Sequence, residues 1–408
     1  MTDDNPFRRG LGGPLGPDPF SELSGLARFT DPPPNALSAF SDLARMTGQT
    51  NSLSELARLV ASPAPPATGL GLPMTSSLAQ ALSGELSYLG GLGGLEKYRQ
   101  RREWNARFEH WEKPASTTEE STLDRAQRMV REAIAGSVWL REQGATVQPQ
   151  GSYHNNTNTR LDADADLRVQ LPLIKVDYHP NVTVPYARSL LGLTDSSWSF
   201  DQLFTMLRWE LETLLGEAFG KRNVTPGNKA IRVKGLRGTR AEIDVVPAVR
   251  YQNIMWWDWE ARYNTIEGVA LLSKDGRWTI NYPDHHRASG VAKRAGTGHQ
   301  FKRQVRIFKR LRGDLAQRGL LHAKVPSFLV ESLVWNVEDG YFTVSGDDMY
   351  ERVRRIARRL QWMVRDENTA AGMLEVNGLK KLFTEEQAWT WADAMAFAEA
   401  VVAHLGDA

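Results

Sequence analysis

Gly151-Ser152-Tyr153-His154-Asn155-Asn156-Thr157-Asn158-Thr159-Arg160-Leu161-Asp162-Ala163-Asp164-Ala165-Asp166-Leu167-Arg168-Val169 is the stretch on which the fold turns. Aspartates at 162, 164 and 166 recur at every second position, so in a strand all three project to one face. The strand-like Leu-Arg-Val-Gln-Leu that follows favours this over a solvated acidic loop. Carboxylates packed on one face repel unless something positive neutralises them. Hard oxygen ligands at this spacing suit Mg²⁺ or Mn²⁺, which keep waters and borrow ligands from a substrate phosphate. Upstream, Gly151 and Ser152 offer unhindered N–H groups and a hydroxyl suited to a triphosphate, although a Gly-Ser pair is also an ordinary turn.

A further carboxylate lies in Ala241-Glu242-Ile243-Asp244-Val245-Val246-Pro247, an apolar β-run where an uncompensated charge is costly. Two arrangements meet that need. Asp244 can join Asp164 and Asp166 across neighbouring strands, the three carboxylates holding two metal ions about 4 Å apart for an in-line displacement. Alternatively it forms a salt bridge with an arginine such as Arg232 or Arg240.

Working outward, residues 1–95 hold over a third of the glycines, more than half of the prolines and only five basic residues. Such a composition predicts a mostly disordered tail, with short helical stretches at residues 38–46 and 51–60 that Ser52 or Ser54 would cap. From residue 96 the chain turns charged and aromatic. Trp104, Phe108 and Trp111 share one helical face, and a second helix is expected after Ser121-Thr122, closed by Gly144. Strands are expected at 146–150, 166–171, 229–234 and 239–249, and a helix capped by the box Ser199 to Gln202. Beyond residue 285 the pattern is helical, at 297–318, 325–337, 345–365 and 384–405. The expected domains are a tail at 1–95, an α/β core with leading helices at 96–284 and a helical lobe at 285–408.

Of 408 residues none is cysteine, which excludes disulfides, thiolate metal sites and Cys nucleophiles. No signal-peptide core and no long apolar run occur, so the expectation is a soluble cytoplasmic protein without a membrane partner. Net charge is only +2, but residues 287–324 carry eleven Lys or Arg against one acid, Asp314. Lys302, Arg306, Lys309 and Arg310 recur at helical spacing as a basic stripe, either a solvated face or a contact for phosphate. His285-His286 is declined as a metal pair, because neighbours in an extended chain point opposite ways. His154 and the tryptophans, among them Trp256, Trp257 and Trp259, are read as packing.

The Gly-Ser turn, the Asp-x-Asp entering a strand and the third Asp in a later strand resemble the polymerase β-like nucleotidyltransferase superfamily. Gly-Ser-Tyr-x-Asn-x-Thr-Asn-x-Arg at 151–160, Glu242-Ile-Asp-Val-Val-Pro247, Phe301-Lys-Arg-Gln-Val-Arg-Ile-Phe-Lys-Arg310 and Pro326-Ser-Phe-Leu-Val-Glu-Ser-Leu333 are similar to the bacterial relatives of cyclic GMP–AMP synthase and oligoadenylate synthase. The likeness spans residues 96–405. It implies an α+β fold, with a polymerase β-like lobe on a mixed sheet and a C-terminal helical lobe.

By the same resemblance Asp164 and Asp166 are the first metal pair, and Asp244 is a third ligand that helps to activate the acceptor hydroxyl. Asp162 orders the loop, Gly151 and Ser152 form the phosphate-binding turn, Lys309 and Ser327 hold the triphosphate tail, and Phe328 stacks on a base. Two Mg²⁺ or Mn²⁺ ions are implied. The zinc lobe of the vertebrate relative is not, since its cysteine ligands are missing. The implied function is metal-dependent condensation of nucleoside triphosphates into a cyclic or linear oligonucleotide second messenger in antiviral defence, read by an effector the sequence does not name. Two alternatives are a terminal transferase elongating a nucleic-acid or protein acceptor, and a catalytically silent nucleic-acid-binding scaffold.

Overall fold

A computed structural model describes residues 92–114, 116–159, 165–257, 263–344, 346 and 348–406. The expected disorder of residues 1–95 falls, up to residue 91, outside the described residues, as do Arg160, Asp162, Asp164 and Trp259.

The first helix, α1 (Leu92–Trp111), carries the expected aromatic face. Trp104 stacks on Phe108 at 5.2 Å, and Phe108 is fully buried. The second helix begins earlier than expected, as α2 (Thr117–Ala135), because Ser116 and Glu119 form a reciprocal capping box. Such a box satisfies two orphan N–H groups at once. The hydroxyls of Ser121 and Thr122 instead donate back to the carbonyls of Thr118 and Glu119 within the first turn. Nor does this helix run on to Gly144: Gly136 ends it and Ser137 caps a separate short α3 (Val138–Glu142).

β1 (Thr146–Gln150) matches expectation residue for residue, and α4 (Gly151–His154) makes the Gly-Ser turn one turn of helix. β2 (Ala165–Tyr178) outruns the expected strand through an irregularity between Leu171 and Ile174. After α5 (Val184–Leu190), α6 (Phe200–Phe219) starts at the Ser199–Gln202 capping box. Short β3 (Val224–Pro226) and β4 (Ile231–Val233) lead into β5 (Ile243–Trp257), β6 (Tyr263–Leu272) and β7 (Trp278–Asn281).

The sheet runs β1-β2-β5-β4-β3, with β6 pairing the distal part of β5 and β7 pairing β6. β2 and β5 are parallel and the other pairs antiparallel, so the sheet is mixed, as expected. Period-two alternation splits it into two faces. Ala165, Leu167, Val169 and Leu171 of β2 and Ile243, Val245 and Val249 of β5 form one core with Leu203, Leu207, Leu211 and Leu215 of α6 and Leu123 and Val130 of α2. The opposite face carries Asp166, Arg168 and Asp244.

The remaining chain is helical: α7 (Pro283–Gly296), α8 (Gln300–Gln317), α9 (Ser327–Asn336), α10 (Met349–Arg365), α11 (Glu367–Gly372) and α12 (Trp391–Leu405). α7 was not anticipated, and it holds His285-His286, so that pair lies in a helix and not in an extended chain. The last helix starts at the Thr390–Asp393 capping box rather than at Thr384, since Gln387 spends its amide on Glu375. α8 to α12 enclose a second core containing Phe301, Phe308, Leu333, Leu360, Phe397 and, from α1, Phe108. The first helix therefore belongs energetically with the C-terminal helices, while α2 belongs with the sheet. Truncating a buried Phe to Ala removes its burial and leaves a cavity, at a cost of about 3–5 kcal/mol. Phe108→Ala should show that loss in urea unfolding, and a loss under about 1 kcal/mol would detach α1 from this core.

Candidate active site

The pairing of β2 with β5 places Asp166 directly opposite Asp244. In a parallel pair such partners point to the same face from strands about 4.8 Å apart. Two of the three expected metal ligands are thereby brought together; the third, Asp164, lies outside the described residues. Among the described residues no group of three or more potential ligands assembles.

Asp244 is also held by an ion pair. Its cross-strand neighbour Arg232 reaches Oδ1 through Nε at 3.1 Å and Oδ2 through Nη2 at 3.4 Å, and Nε lies 3.3 Å from Glu242. Of the two arginines considered from sequence, Arg232 makes the pair, whereas Arg240 sits over Phe219 and donates to the Lys234 carbonyl. The Arg232 side chain is half exposed. Exposed pairs of this kind are worth about 0–1 kcal/mol, so Asp244 is not committed to Arg232 against a stronger cation.

Gly151 enters the site for a steric reason. Its φ is +75°, and a Cβ built there would overlap the carboxylate of Asp166. The glycine thus lets the turn close over the Asp166 carboxylate. The amide of Asn155 donates to the Gly151 carbonyl, and the Thr157 N–H to that of Ser152, so the turn is folded back on itself. Tyr153 points away and donates to Asp124 at 2.7 Å. Burial first, then Asp124, pushes its phenol above the ordinary range.

Below this turn lies a buried cluster that sequence reasoning missed. Glu331 of α9 accepts from Lys309 at 2.8 Å and Thr157 at 2.8 Å, and meets His286 Nε2 at 2.8 Å. Lys309 also donates to the Thr157 carbonyl, and Arg306 bridges the carbonyls of Glu112 and Asn156. Burial alone would raise the Glu331 carboxyl, but Lys309 and His286 hold it well below the usual range. Lys309, 3% exposed, therefore ties Thr157 to Glu331 of α9. Phe328 stands edge-on to His286 at 5.6 Å and close to Trp389, with Ser327 beside it at the start of α9.

The basic stripe is not a solvated face. Arg306, Lys309 and Arg310 are buried and Lys302 is half-buried. Burial lowers Arg306 to about 10, so it keeps its charge at neutral pH. Glu331 was legible by the test that found Asp244, an acid inside the apolar run Leu329, Val330, Leu333, Val334. Arg168 lies on the carboxylate face of β2 and is likewise buried.

A C-terminal part of the chain, residues 288–406, matches the model of the cGAS/DncV-like nucleotidyltransferase C-terminal helical domain. A cyclic dipyrimidine nucleotide synthase CdnE of Legionella pneumophila is 36% identical over 291 residues, 70% of this chain and 92% of that one. The chain belongs to the cGAS/DncV-like nucleotidyltransferases. A second CdnE of the same description, from Cecembia lonarensis, is 31% identical across 72% of the chain and 96% of the relative. In structure, the Rhodothermus marinus CdnE c-UMP-AMP synthase with Apcpp and Upnpp superposes with a TM-score of 0.59 at 26% identity, covering 73% of this chain and 94% of that one. As a cGAS/DncV-like enzyme the chain is a nucleotidyltransferase with the expected α+β fold, from a family that works with divalent metals and nucleotide substrates. Among the described residues no helix is long and apolar enough to cross a membrane.

Two measurements test this geometry. Gly151→Ala should abolish turnover while α4 and the sheet stay folded by circular dichroism, because the added methyl competes with Asp166 for space; an active variant would refute the steric role. Glu331→Gln leaves Lys309 buried without its counter-charge, and breaking such a pair costs about 3–5 kcal/mol. Since the folded carboxyl lies well below its unfolded value, its contribution is complete above about pH 5, starts to fall below about 4 and is lost only as pH drops through the folded value in strong acid. Denaturation of wild type and Glu331→Gln should therefore differ most at neutral pH and converge in acid.

Proposed function

We propose that Asp164, Asp166 and Asp244 hold two Mg²⁺ or Mn²⁺ ions and that the protein condenses nucleoside triphosphates into a cyclic dinucleotide containing pyrimidines. The observation that carries this is the pairing of Asp166 with Asp244 on one face of β2 and β5. The donor set consists of carboxylate oxygens, the ligands such hard cations take. When bound, divalent cations neutralise the triphosphate and lower the pKa of the attacking hydroxyl.

The chain's own groups position the reactants. Gly151 and Ser152 receive the phosphates beside Asp166, and Asp244 orients the acceptor hydroxyl and helps take up its proton. Ser327 steadies the triphosphate tail and Phe328 offers a ring face to a base, while Lys309 acts through Thr157 and Glu331 to fix the loop behind the phosphates. Catalysis of phosphoryl transfer rests mainly on positioning and charge stabilisation, which this arrangement provides. The base preference follows the two most alike relatives described above, both cyclic dipyrimidine nucleotide synthases. A messenger role in antiviral defence accords with the family.

Incubating the protein with all four nucleoside triphosphates and Mg²⁺ or Mn²⁺, then identifying products by mass spectrometry, tests the reading. A cyclic dinucleotide with at least one pyrimidine is expected, and Asp244→Asn should lower its yield at least about 100-fold, in line with losing a group that acts in the transition state. Label appearing in a polymer or in the protein would favour the terminal-transferase alternative.

A further inference from the structure

Strand β2 carries Asp166 and, two residues on, Arg168 on the same face, about 6.6 Å further along the strand. Arg168 is 7% exposed, and its Nε and Nη1 are buried without a hydrogen-bond partner. The remaining nitrogen, Nη2, lies 3.9 Å from Asp284, whose side chain is 86% exposed. A buried guanidinium left with two unused donors costs several kcal/mol unless something else accepts from it. The surroundings say what kind of acceptor. His154 of α4 feels Arg287, Arg168 and Lys302 as positive neighbours, with Asp284 alone opposing them. Arg287 also meets the His154 ring at 2.7 Å. Arg168 is buried and Lys302 half-buried, so this is a cationic floor largely shielded from water beside the turn of Gly151 and Ser152. Two N–H groups on different edges of one guanidinium can each donate to a separate phosphate oxygen.

We infer that Arg168 is a substrate-binding residue, its Nε and Nη1 donating to the polyphosphate of a nucleotide held above β2. This inference rests on the reading of the cleft as a nucleotidyltransferase site. Arg168 adds a cation from the floor of the sheet.

The opposing structural role is a tether between the sheet and α7 through Asp284, and the two roles predict opposite outcomes. Losing hydrogen bonds to a charged group costs roughly tenfold to a hundredfold in affinity. With the full chain and Mg²⁺, Arg168→Met should therefore bind a β,γ-imido nucleoside triphosphate at least about tenfold more weakly and raise the Ki of inorganic tripolyphosphate in parallel. Its KM should rise more than its kcat falls, and its Tm should equal or exceed wild type, because an unpaired buried charge has been removed. Asp284→Asn should leave the affinity within about twofold.

Wild-type triphosphate affinity in Arg168→Met overturns the inference, as does a weakened nucleotide analogue with an unchanged tripolyphosphate Ki. If Arg168→Met does not fold, Arg168→Lys decides: several-fold weaker tripolyphosphate binding at wild-type Tm supports the role, and unchanged binding removes it. Wild-type-like turnover by Asp244→Asn would remove the underlying reading of the site. An inactive Asp244→Asn together with unaltered binding by Arg168→Met would remove this inference alone.

Discussion

Everything in the candidate site depends on the register between β2 and β5. Two carboxylates opposite one another repel by about 1 kcal/mol in water and several times that in a partly buried site. That repulsion does not favour bringing Asp166 to Asp244. The other face of the sheet does. Leu167, Val169 and Leu171 and their β5 partners Val245 and Val249 are fully buried against α6. A slip of one residue would turn that whole set into the cleft and the aspartates into the core. Hydrophobic packing on one side thus fixes charge placement on the other, at a repulsion small beside the burial of so many aliphatic side chains.

A second constraint is the burial of positive charge between the sheet and the helices. Arg168, Arg306, Lys309 and Arg310 are all nearly inaccessible. Lys309 is compensated by Glu331 and Arg306 by backbone carbonyls, which locks residues 155–157 onto α8 and α9. The turn at Gly151 and Ser152 is therefore held from both ends, by β1 before it and by this network after it. A turn fixed in this way presents its N–H groups and the Asp166 carboxylate in a set geometry, which is what preorganised charge stabilisation requires.

How much of this was legible follows the range of the forces involved. Asp166 in its strand, the strand at 146–150 and the Ser199 cap follow local patterns, and they stood in the structure where the sequence put them. Helix starts failed where two local signals competed and a side-chain partner decided between them. Ser121-Thr122 lost to Ser116 because Glu119 returned the hydrogen bond, and Thr384 lost to Thr390 because Gln387 was drawn to Glu375. α7 escaped notice because its His285-His286 pair was read as extended chain. Lys309 was seen as a basic residue on a helix, but its neighbour Glu331 is 22 positions away, and no spacing rule links the two.

The same distinction separates Asp244 from Glu331, two acids embedded in apolar runs. Sequence reasoning treats both as charges needing a partner, but the partner's exposure determines what each can do. Glu331 is matched by Lys309 and His286 inside the protein, and its low carboxyl pKa records a charge already neutralised. Asp244 is matched by Arg232, whose side chain is 54% exposed and is shared with Glu242. A surface guanidinium dividing itself between two carboxylates is weakly bound to each. Embedded acids with fully buried partners hold a fold together, whereas an embedded acid whose partner can swing into solvent keeps a free valence for a cation. By that criterion Glu331 holds the fold together, and Asp244 is the acid whose partner is exposed.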